Sequence, residues 1–232
     1  MKRIIIEGNH PLSGKIKIGG AKNSVVALIP AAIMATGPVK ISNVPNISDK
    51  DALLEILKLL NVSVHRGSGT IEIDASNLEN KVIPETLSNK LRASYYFMGA
   101  LLARFKKVEM YFPGGCNIGA RPIDIHIDGF KALGADVTID GNKYILKADK
   151  LIGTDIYLRF QSVGATVNLM FASVLAEGTT VIHNAAKEAE IENIADFLIS
   201  MGAKIEGAGT DEITITGVEK LHGGNITVLP DR

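Results

Sequence analysis

The densest chemistry in this 232-residue sequence lies between Pro113 and His126. That stretch holds the one cysteine of the chain, Cys116, together with Arg121, Asp124 and His126. Gly114, Gly115 and Gly119 free its backbone for conformations that a side chain forbids, and Pro122 stiffens the exit. Thiol reactivity needs exposure and a neighbouring positive charge, and Arg121 supplies the second. A lone cysteine is also commonly a small buried hydrophobe. The loop alone leaves both readings open.

A second set of residues stands at helix starts. Lys22-Asn23-Ser24, Asn89-Lys90-Leu91-Arg92 and Gln161-Ser162-Val163-Gly164 each lead into a run with little or no charge. Unpaired backbone N–H groups and the helix dipole make such a terminus attractive to anions. Lys22 and Arg92 add full positive charges there. Capping by Asn23 and Ser162, with Lys22 merely solvated, explains any one of these starts taken singly. Their recurrence beside a glycine–cysteine loop points to a phosphate or carboxylate site. Other chemistry finds no support. Gly19-Gly20-Ala21-Lys22-Asn23-Ser24 lacks the glycine that directly precedes the lysine of a P-loop. His10, His65, His126, His183 and His222 have no metal-ligand spacing, and one cysteine cannot build a zinc site. No Gly-x-Ser-x-Gly elbow is present. Neither a metal nor a cofactor is called for.

Composition narrows the class. Hydrophobic residues make up 46% of the chain, enough for a sizeable core. Basic and acidic residues number 25 each, so the net charge is zero, which argues against general affinity for nucleic acid or anionic membranes. No apolar run approaches the ~20 residues of a membrane span. Glu7 and Gly8 interrupt the N-terminal Ile4-Ile5-Ile6 too early for a signal-peptide core. One cysteine allows no internal disulfide, which fits a reducing cytoplasm.

The elements that must position these residues repeat. Strands are predicted at Arg3–Glu7 and Gly14–Ile18, then an uncharged helix over 24–35 kinked at Pro30. A strand over Val39–Val44, an amphipathic helix from Ser48 to Leu60 and paired strands Val62–Arg66 and Thr70–Asp74 complete a unit. Ala35, Ala103 and Ala176 step by 68 and then 73 residues; Leu60, Leu133 and Met201 step by 73 and then 68, so both series span 141. Three copies of one unit are implied. Each has an uncharged helix (24–35, 93–103, 163–176, with Asn168 the strongly polar exception) and a helix with one polar face. In Glu190–Met201, Ile191, Ile194, Phe197, Leu198 and Met201 point inward. Thr138–Asp140, Lys143–Lys147 and Glu212–Thr216 read as short strands solvated on one face. The expected architecture is an α/β domain with pseudo-threefold symmetry, buried helices inside and small sheets outside. If the copies pack symmetrically, the helix starts share one end.

With these residues assembled, the chain resembles the UDP-N-acetylglucosamine enolpyruvyl transferase (MurA) family along its whole length. The likeness is carried by Gly19-Gly20-Ala21-Lys22-Asn23-Ser24, Leu91-Arg92, Gly114-Gly115-Cys116, Gly119-Ala120-Arg121-Pro122 with Asp124 and His126, and Ser162-Val163-Gly164-Ala165-Thr166. Gly178-Thr179-Thr180, Gly202-Ala203-Lys204 and Leu229-Pro230-Asp231-Arg232 also match. The resemblance implies an inside-out α/β barrel of three repeats, about 22–88, 89–160 and 161–229. It implies transfer of the enolpyruvyl group of phosphoenolpyruvate to the 3′-hydroxyl of UDP-N-acetylglucosamine, with phosphate released, in peptidoglycan synthesis. By the same resemblance Lys22, Asn23, Arg92 and Arg121 surround phosphoenolpyruvate. Asn23, Arg92, Arg121, Pro122, Ile123, Asp124, Ile125, His126, Ser162, Val163 and Gly164 hold the sugar nucleotide. Cys116 becomes the general acid toward the enolpyruvyl carbon, able to bond covalently to phosphoenolpyruvate and open to alkylation by fosfomycin. A thiol of pKa ~8.5 is mostly protonated at neutral pH and suits that role.

The chain departs from the family pattern at two points. Phe160 stands where members often have a lysine, and the neighbouring Arg159 is expected to point differently. The family also has two such domains with the active site between them. In that pattern residues 1–21 belong to the other domain, the chain crosses near Gly20, and residues 230–232 begin the second crossing. The expectation is therefore one half of a cleft, inactive by itself. The alternatives are a non-catalytic sugar-nucleotide-binding module, or a relative of the shikimate-pathway enolpyruvyl transferase, which works without such a cysteine.

Overall fold

The computed structural model describes residues 3–11, 13–114 and 123–232. Helix α1 (Lys22–Ala32) carries no charge after Lys22 and is buried from Ser24 onward. Pro30 lies inside it and removes one N–H from the ladder. The helix ends two residues later, and Ile33, Met34 and Ala35 continue as turns bonded to carbonyls three residues back. Strand β1 (Val39–Ser42) follows, then α2 (Ser48–Leu59), whose Leu53, Leu54, Ile56 and Leu57 face the core. Strands β2 (Ser63–Gly67) and β3 (Thr70–Asp74) form the hairpin.

The second unit opens with a short α3 (Glu85–Ser88) and a 3-10 turn, Arg92–Tyr95, that feeds α4 (Tyr96–Phe105). It continues with β4 (Lys107–Tyr111), α5 (Asp124–Ala132), and the hairpin β5 (Asp136–Asp140) and β6 (Lys143–Lys147). Edge strand β7 (Asp155–Tyr157) leads to the third unit: α6 (Val163–Ser173), β8 (Thr179–His183), α7 (Ala189–Ser200), the hairpin β9 (Lys204–Glu206) and β10 (Glu212–Thr216), and β11 (Asn225–Thr227). The sheets run β11-β1-β3-β2, β4-β6-β5 and β7-β8-β10-β9. In the first and third, an edge strand from another unit lies parallel to the strand after the buried helix; in the second, Ile83 makes the same parallel bridge to Met110. Because β11 of the last unit pairs with β1 of the first, the triplet closes on itself.

The threefold repeat holds down to single bonds at the amphipathic helix ends. Leu60, Leu133 and Met201 cap them, and Asn61, Gly134 and Gly202 follow with φ of 61°, 96° and 102°. The next N–H, from Val62, Ala135 and Ala203, reaches back to Leu57, Phe130 and Leu198. Only a left-handed residue allows that reversal, which glycine adopts freely and asparagine tolerates. Helices α1, α4 and α6 form the interior and the sheets the outside, an inside-out α/β arrangement.

Two sequence expectations are corrected. Arg3–Glu7 and Gly14–Ile18 form no strands among the described residues. Ile4, Ile5, Ile6 and Ile16 are 84–91% exposed. Alternating side chains favour a strand only where a neighbour covers the apolar side, and an isolated two-stranded ribbon is marginal in water. The helix expected over 93–103 begins instead with the 3-10 turn, in which the hydroxyl of Ser94 donates to the carbonyl of Ser88. Backbone pairing begins at Gly19–Ala21, which pair with Leu229–Asp231. Ala21 N–H donates to Leu229 O (2.8 Å) and Asp231 N–H to Gly19 O (2.9 Å).

Candidate active site

The starts of α1, the Arg92 turn and α6 meet at one cavity of about 430 Å3. Lys22, Asn23 and Val26 line it from α1; Arg92, Ala93, Tyr95 and Tyr96 from the second unit; Val163 from α6; Asp49, Glu188, Glu190 and Arg232 complete it. Lys22 and Arg92, expected at one end, lie on the same cavity. Ala21 at the N-cap of α1 has no side chain able to cap, whereas Ser162 caps α6 by accepting from Ala165 N–H. Asn23 therefore does not cap; it sits inside the helix with its side chain free for another task.

Residues 22–24 are held by two other helices, Lys22 by α2 and Asn23 and Ser24 by α7. The Lys22 ammonium lies 2.8 Å from Asp49 in the first turn of α2, and its backbone N–H donates to Asp231. Asn23 Nδ2 donates to Glu190 Oε1 at 3.3 Å. Ser24 donates to Asn193 Oδ1, which also accepts from Leu229 N–H, while Asn193 Nδ2 donates to Thr227 O. Glu190 and Asn193 are one turn apart on α7 and nearly buried. Arg232 approaches the other Glu190 oxygen at 3.6 Å.

Behind the cavity runs a buried polar line. The Arg92 guanidinium lies over the Tyr95 ring, which stands edge-on to His126 with 4.9 Å between centroids. Asn168, the polar exception in α6, accepts from Gly99 N–H through Oδ1, so its amide NH2 faces His126 Nδ1 at 3.0 Å. Nδ1 is then the acceptor and the ring proton sits on Nε2. Burial, reinforced by the Arg92 charge and opposed by Asp124, pushes the His126 pKa down to about 3. This imidazole is neutral and positions its neighbours. Burial likewise raises the Tyr96 hydroxyl well above its ordinary value. Gly164 makes the junction possible, because a Cβ there would stand 2.5 Å from the Tyr95 hydroxyl and 3.0 Å from His126.

The remaining expected residues fall on either side. Asp124 starts α5, exposed, and Arg159 grips it at 2.6 Å with Asp128 at 3.4 Å; that contact holds the Asp124 carboxyl below its usual range. Phe160 is 59% exposed and supplies no charge. Ile123 and Ile125 are buried beside Asp124 and His126. Gly114 anchors the entry of the glycine–cysteine loop by donating to Ser88 O. Cys116, Arg121 and Pro122 lie outside the described residues.

Sequence reading missed Asp49, Glu188, Glu190, Asn193, Tyr95 and Arg232. One signal was readable: Glu190 and Asn193 interrupt the inward apolar face of α7 at helical spacing. Asp49 carried none, since it belongs to the first turn of α2, where any acidic residue favours the dipole. Among the described residues no group of His, Cys, Asp or Glu could hold a metal ion, and no helix is long and apolar enough to cross a membrane.

Known proteins share this fold. The enolpyruvyl transferase NikO of Streptomyces tendae superposes with a TM-score of 0.84 at 26% identity, over 97% of this chain and 54% of that one. EPSP synthase of Acinetobacter baumannii gives 0.72 at 20% identity over 96% and 52%, a likeness of fold alone. In sequence the chain is 54% identical to UDP-N-acetylglucosamine 1-carboxyvinyltransferase 2 of Clostridium acetobutylicum and 51% identical to that of Bacillus subtilis, each over all of this chain. It covers 56% and 54% of those proteins, so the chain spans about half the length of the curated relatives it matches. The inside-out α/β domain is thus enolpyruvyl transferase-like. Residues 6–232 match the sequence model of EPSP synthase (3-phosphoshikimate 1-carboxyvinyltransferase), and the chain belongs to that family.

Proposed function

We propose that this chain forms one wall of the active site of a UDP-N-acetylglucosamine 1-carboxyvinyltransferase. The enzyme moves the enolpyruvyl group of phosphoenolpyruvate to the 3′-hydroxyl of UDP-N-acetylglucosamine and releases phosphate. The observation that carries this reading is the meeting of Lys22, Arg92 and three helix starts on one cavity, in a chain 50–54% identical to transferases of that name. Lys22 and Arg92, with Arg121 from the loop, hold the phosphate and carboxylate. Cys116 protonates the methylene carbon as the sugar hydroxyl loses its proton to a base on the opposing wall. Asn23, Pro122 to His126 and Ser162 to Gly164 border the sugar nucleotide. The neutral His126 acts there by packing on Gly164 and Tyr95, not by charge. The accompanying roles are cytoplasmic cell-wall biogenesis, hence cell shape and division.

Phosphate release from phosphoenolpyruvate by the full-length protein, dependent on UDP-N-acetylglucosamine, tests the reading. Release that requires shikimate 3-phosphate instead would favour the other branch of the family. Binding of the sugar nucleotide without any phosphate release would reduce the chain to a binding module. Cys116→Ser is expected to lose about 10²–10⁴-fold in turnover while keeping sugar-nucleotide affinity. Full activity in that variant removes the acid role. Mass spectrometry is expected to show a fosfomycin adduct on Cys116, and a pyruvate adduct in the presence of phosphoenolpyruvate.

A further inference from the structure

Helix α6 carries one amide side chain, Asn168, and buries it completely. Burying an amide costs free energy unless its donors and its acceptor find partners. Both ends of this one are engaged. Oδ1 accepts from Gly99 N–H at 2.9 Å, in the first turn of α4, and Nδ2 meets His126 Nδ1 at 3.0 Å. A backbone N–H only donates, so Gly99 decides which end of the amide points each way. The fit on the α4 side leaves no slack. A Cβ at Gly99 would stand 2.5 Å from Asn168 O and 2.8 Å from Asn168 Oδ1.

The two partners of Asn168 are also the two supports of Arg92. One support is backbone. The turn Arg92–Tyr95 runs directly into α4, so a bond that pins the first turn of α4 also fixes where Arg92 leaves the chain. The other support is a stack of side chains. The His126 ring stands edge-on to Tyr95, and the Tyr95 ring carries the Arg92 guanidinium, with Cζ 5.6 Å from its centroid. A donor at Nδ1 suits the neutral imidazole and not the imidazolium, which has no lone pair to accept with. The amide thus keeps a second cation away from Arg92.

We propose that Asn168 is a positioning residue for Arg92. It sets the His126 tautomer and ring against Tyr95 and holds the start of α4, so the guanidinium reaches the cavity already oriented toward an anion. The inference rests on the proposed function, in which Arg92 holds phosphoenolpyruvate, and adds to it a residue that touches no substrate. Packing alone gives no reason for an amide here, because a leucine of similar size would fill the space.

The test uses the full-length protein labelled with nitrogen-15 at histidine, the His126 signals being identified by their loss in His126→Gln. At pH 7 the wild-type ring is expected to carry a proton on Nε2 and none on Nδ1. Asn168→Asp keeps the shape and replaces the NH2 by an acceptor, so Nδ1 should become protonated. A wild-type ring protonated on Nδ1, or an unchanged ring in Asn168→Asp, overturns the inference. The second measurement is phosphate release by Asn168→Leu, with UDP-N-acetylglucosamine saturating and phosphoenolpyruvate varied. Loss of the positioned charge is expected to raise the phosphoenolpyruvate KM about tenfold and to change kcat by less than about threefold. A merely structural role lowers kcat by reducing the folded fraction and leaves KM alone, and that result overturns the inference too. Thermal unfolding establishes that Asn168→Leu is folded; where it is not, Asn168→Asp takes its place in the kinetics. The expected tautomers with an unchanged KM remove the inference and leave the functional reading intact. A full-length protein that releases no phosphate from phosphoenolpyruvate removes both.

Discussion

At the scale of single residues, His126 shows how sequence chemistry and folded chemistry part. An imidazole beside a cysteine, an arginine and an aspartate invites a reactive role. The fold instead encloses it against Tyr95, Gly164 and Asn168 and keeps it neutral down to about pH 3. In the unfolded chain it titrates near ~6.5, so unfolding takes up a proton at any pH between the two values. The stability contributed by the neutral ring is complete above pH ~6.5 and is lost as pH falls, at up to ~1.4 kcal/mol per unit. His126→Gln can keep a bond to Asn168 and cannot titrate. The stability gap between wild type and variant, measured by urea unfolding, is therefore expected to narrow steadily from pH 7 to pH 4. Parallel curves would show that His126 is not the titrating group. Lys22 and Arg92 were legible because charge at a helix start is visible in one dimension. Asp49 was not, because an acid in the first turn of α2 reads as serving that helix's own dipole. Glu190 showed only as a polar break in the inward face of α7, a helix that the closing of the triplet brings against α1.

The helices have a second end, and its treatment is as informative as the first. With N-termini at the cavity, the C-terminal carbonyls of α1, α4 and α6 lie away from it, where negative ends of dipoles gather. Arg104 donates to Met34 O and Ala35 O beyond α1, at 3.1 and 2.8 Å, and Lys106 Nζ reaches Ala103 O on α4 and Leu175 O beyond α6. Both cations are half buried, and burial lowers the pKa of each. Arg104→Met keeps the apolar stem and removes the donors, which should cost ~1.5–3 kcal/mol in urea unfolding, because bonds to charged groups are the stronger kind. A loss within the scatter of surface substitutions, ~0.5 kcal/mol, would mean the carbonyls find water instead. The repeat itself was legible, since uncharged helices and the 141-residue offset need no tertiary knowledge. The boundaries were less so: Pro30 ends α1 early, and the Arg92 turn winds as 3-10 before α4. Residues 3–18 read as strands because alternation is local, whereas a strand exists only with a neighbour.

At the scale of the molecule, the cavity has charge but little shelter. The Lys22 side chain is 53% exposed and that of Arg232 is 65% exposed, so a bound anion would share its cations with water. Contacts between such exposed charges are worth little, ~0–1 kcal/mol each, whereas enolpyruvyl transfer needs its charges held in a closed, dry site. The pairing of Gly19–Ala21 with Leu229–Asp231 lays two chain passages side by side at the rim of this cavity, next to Lys22 and Arg232. A second domain joined through those passages would stand over the cavity, and the chain spans about half of relatives such as that of Bacillus subtilis. Residues 1–232 assayed alone with both substrates are accordingly expected to release phosphate at least ~10²–10⁴-fold more slowly than the full-length relative, the usual effect of losing one positioned base. Weak binding of UDP-N-acetylglucosamine should survive, because Asn23, Asp124 and Ser162 are all on this side. Turnover matching the relative, with the 232-residue length confirmed by mass, would show that this wall closes and dries the site by itself. The exposed Lys22 and Arg232 would then have to become covered by a rearrangement within residues 1–232.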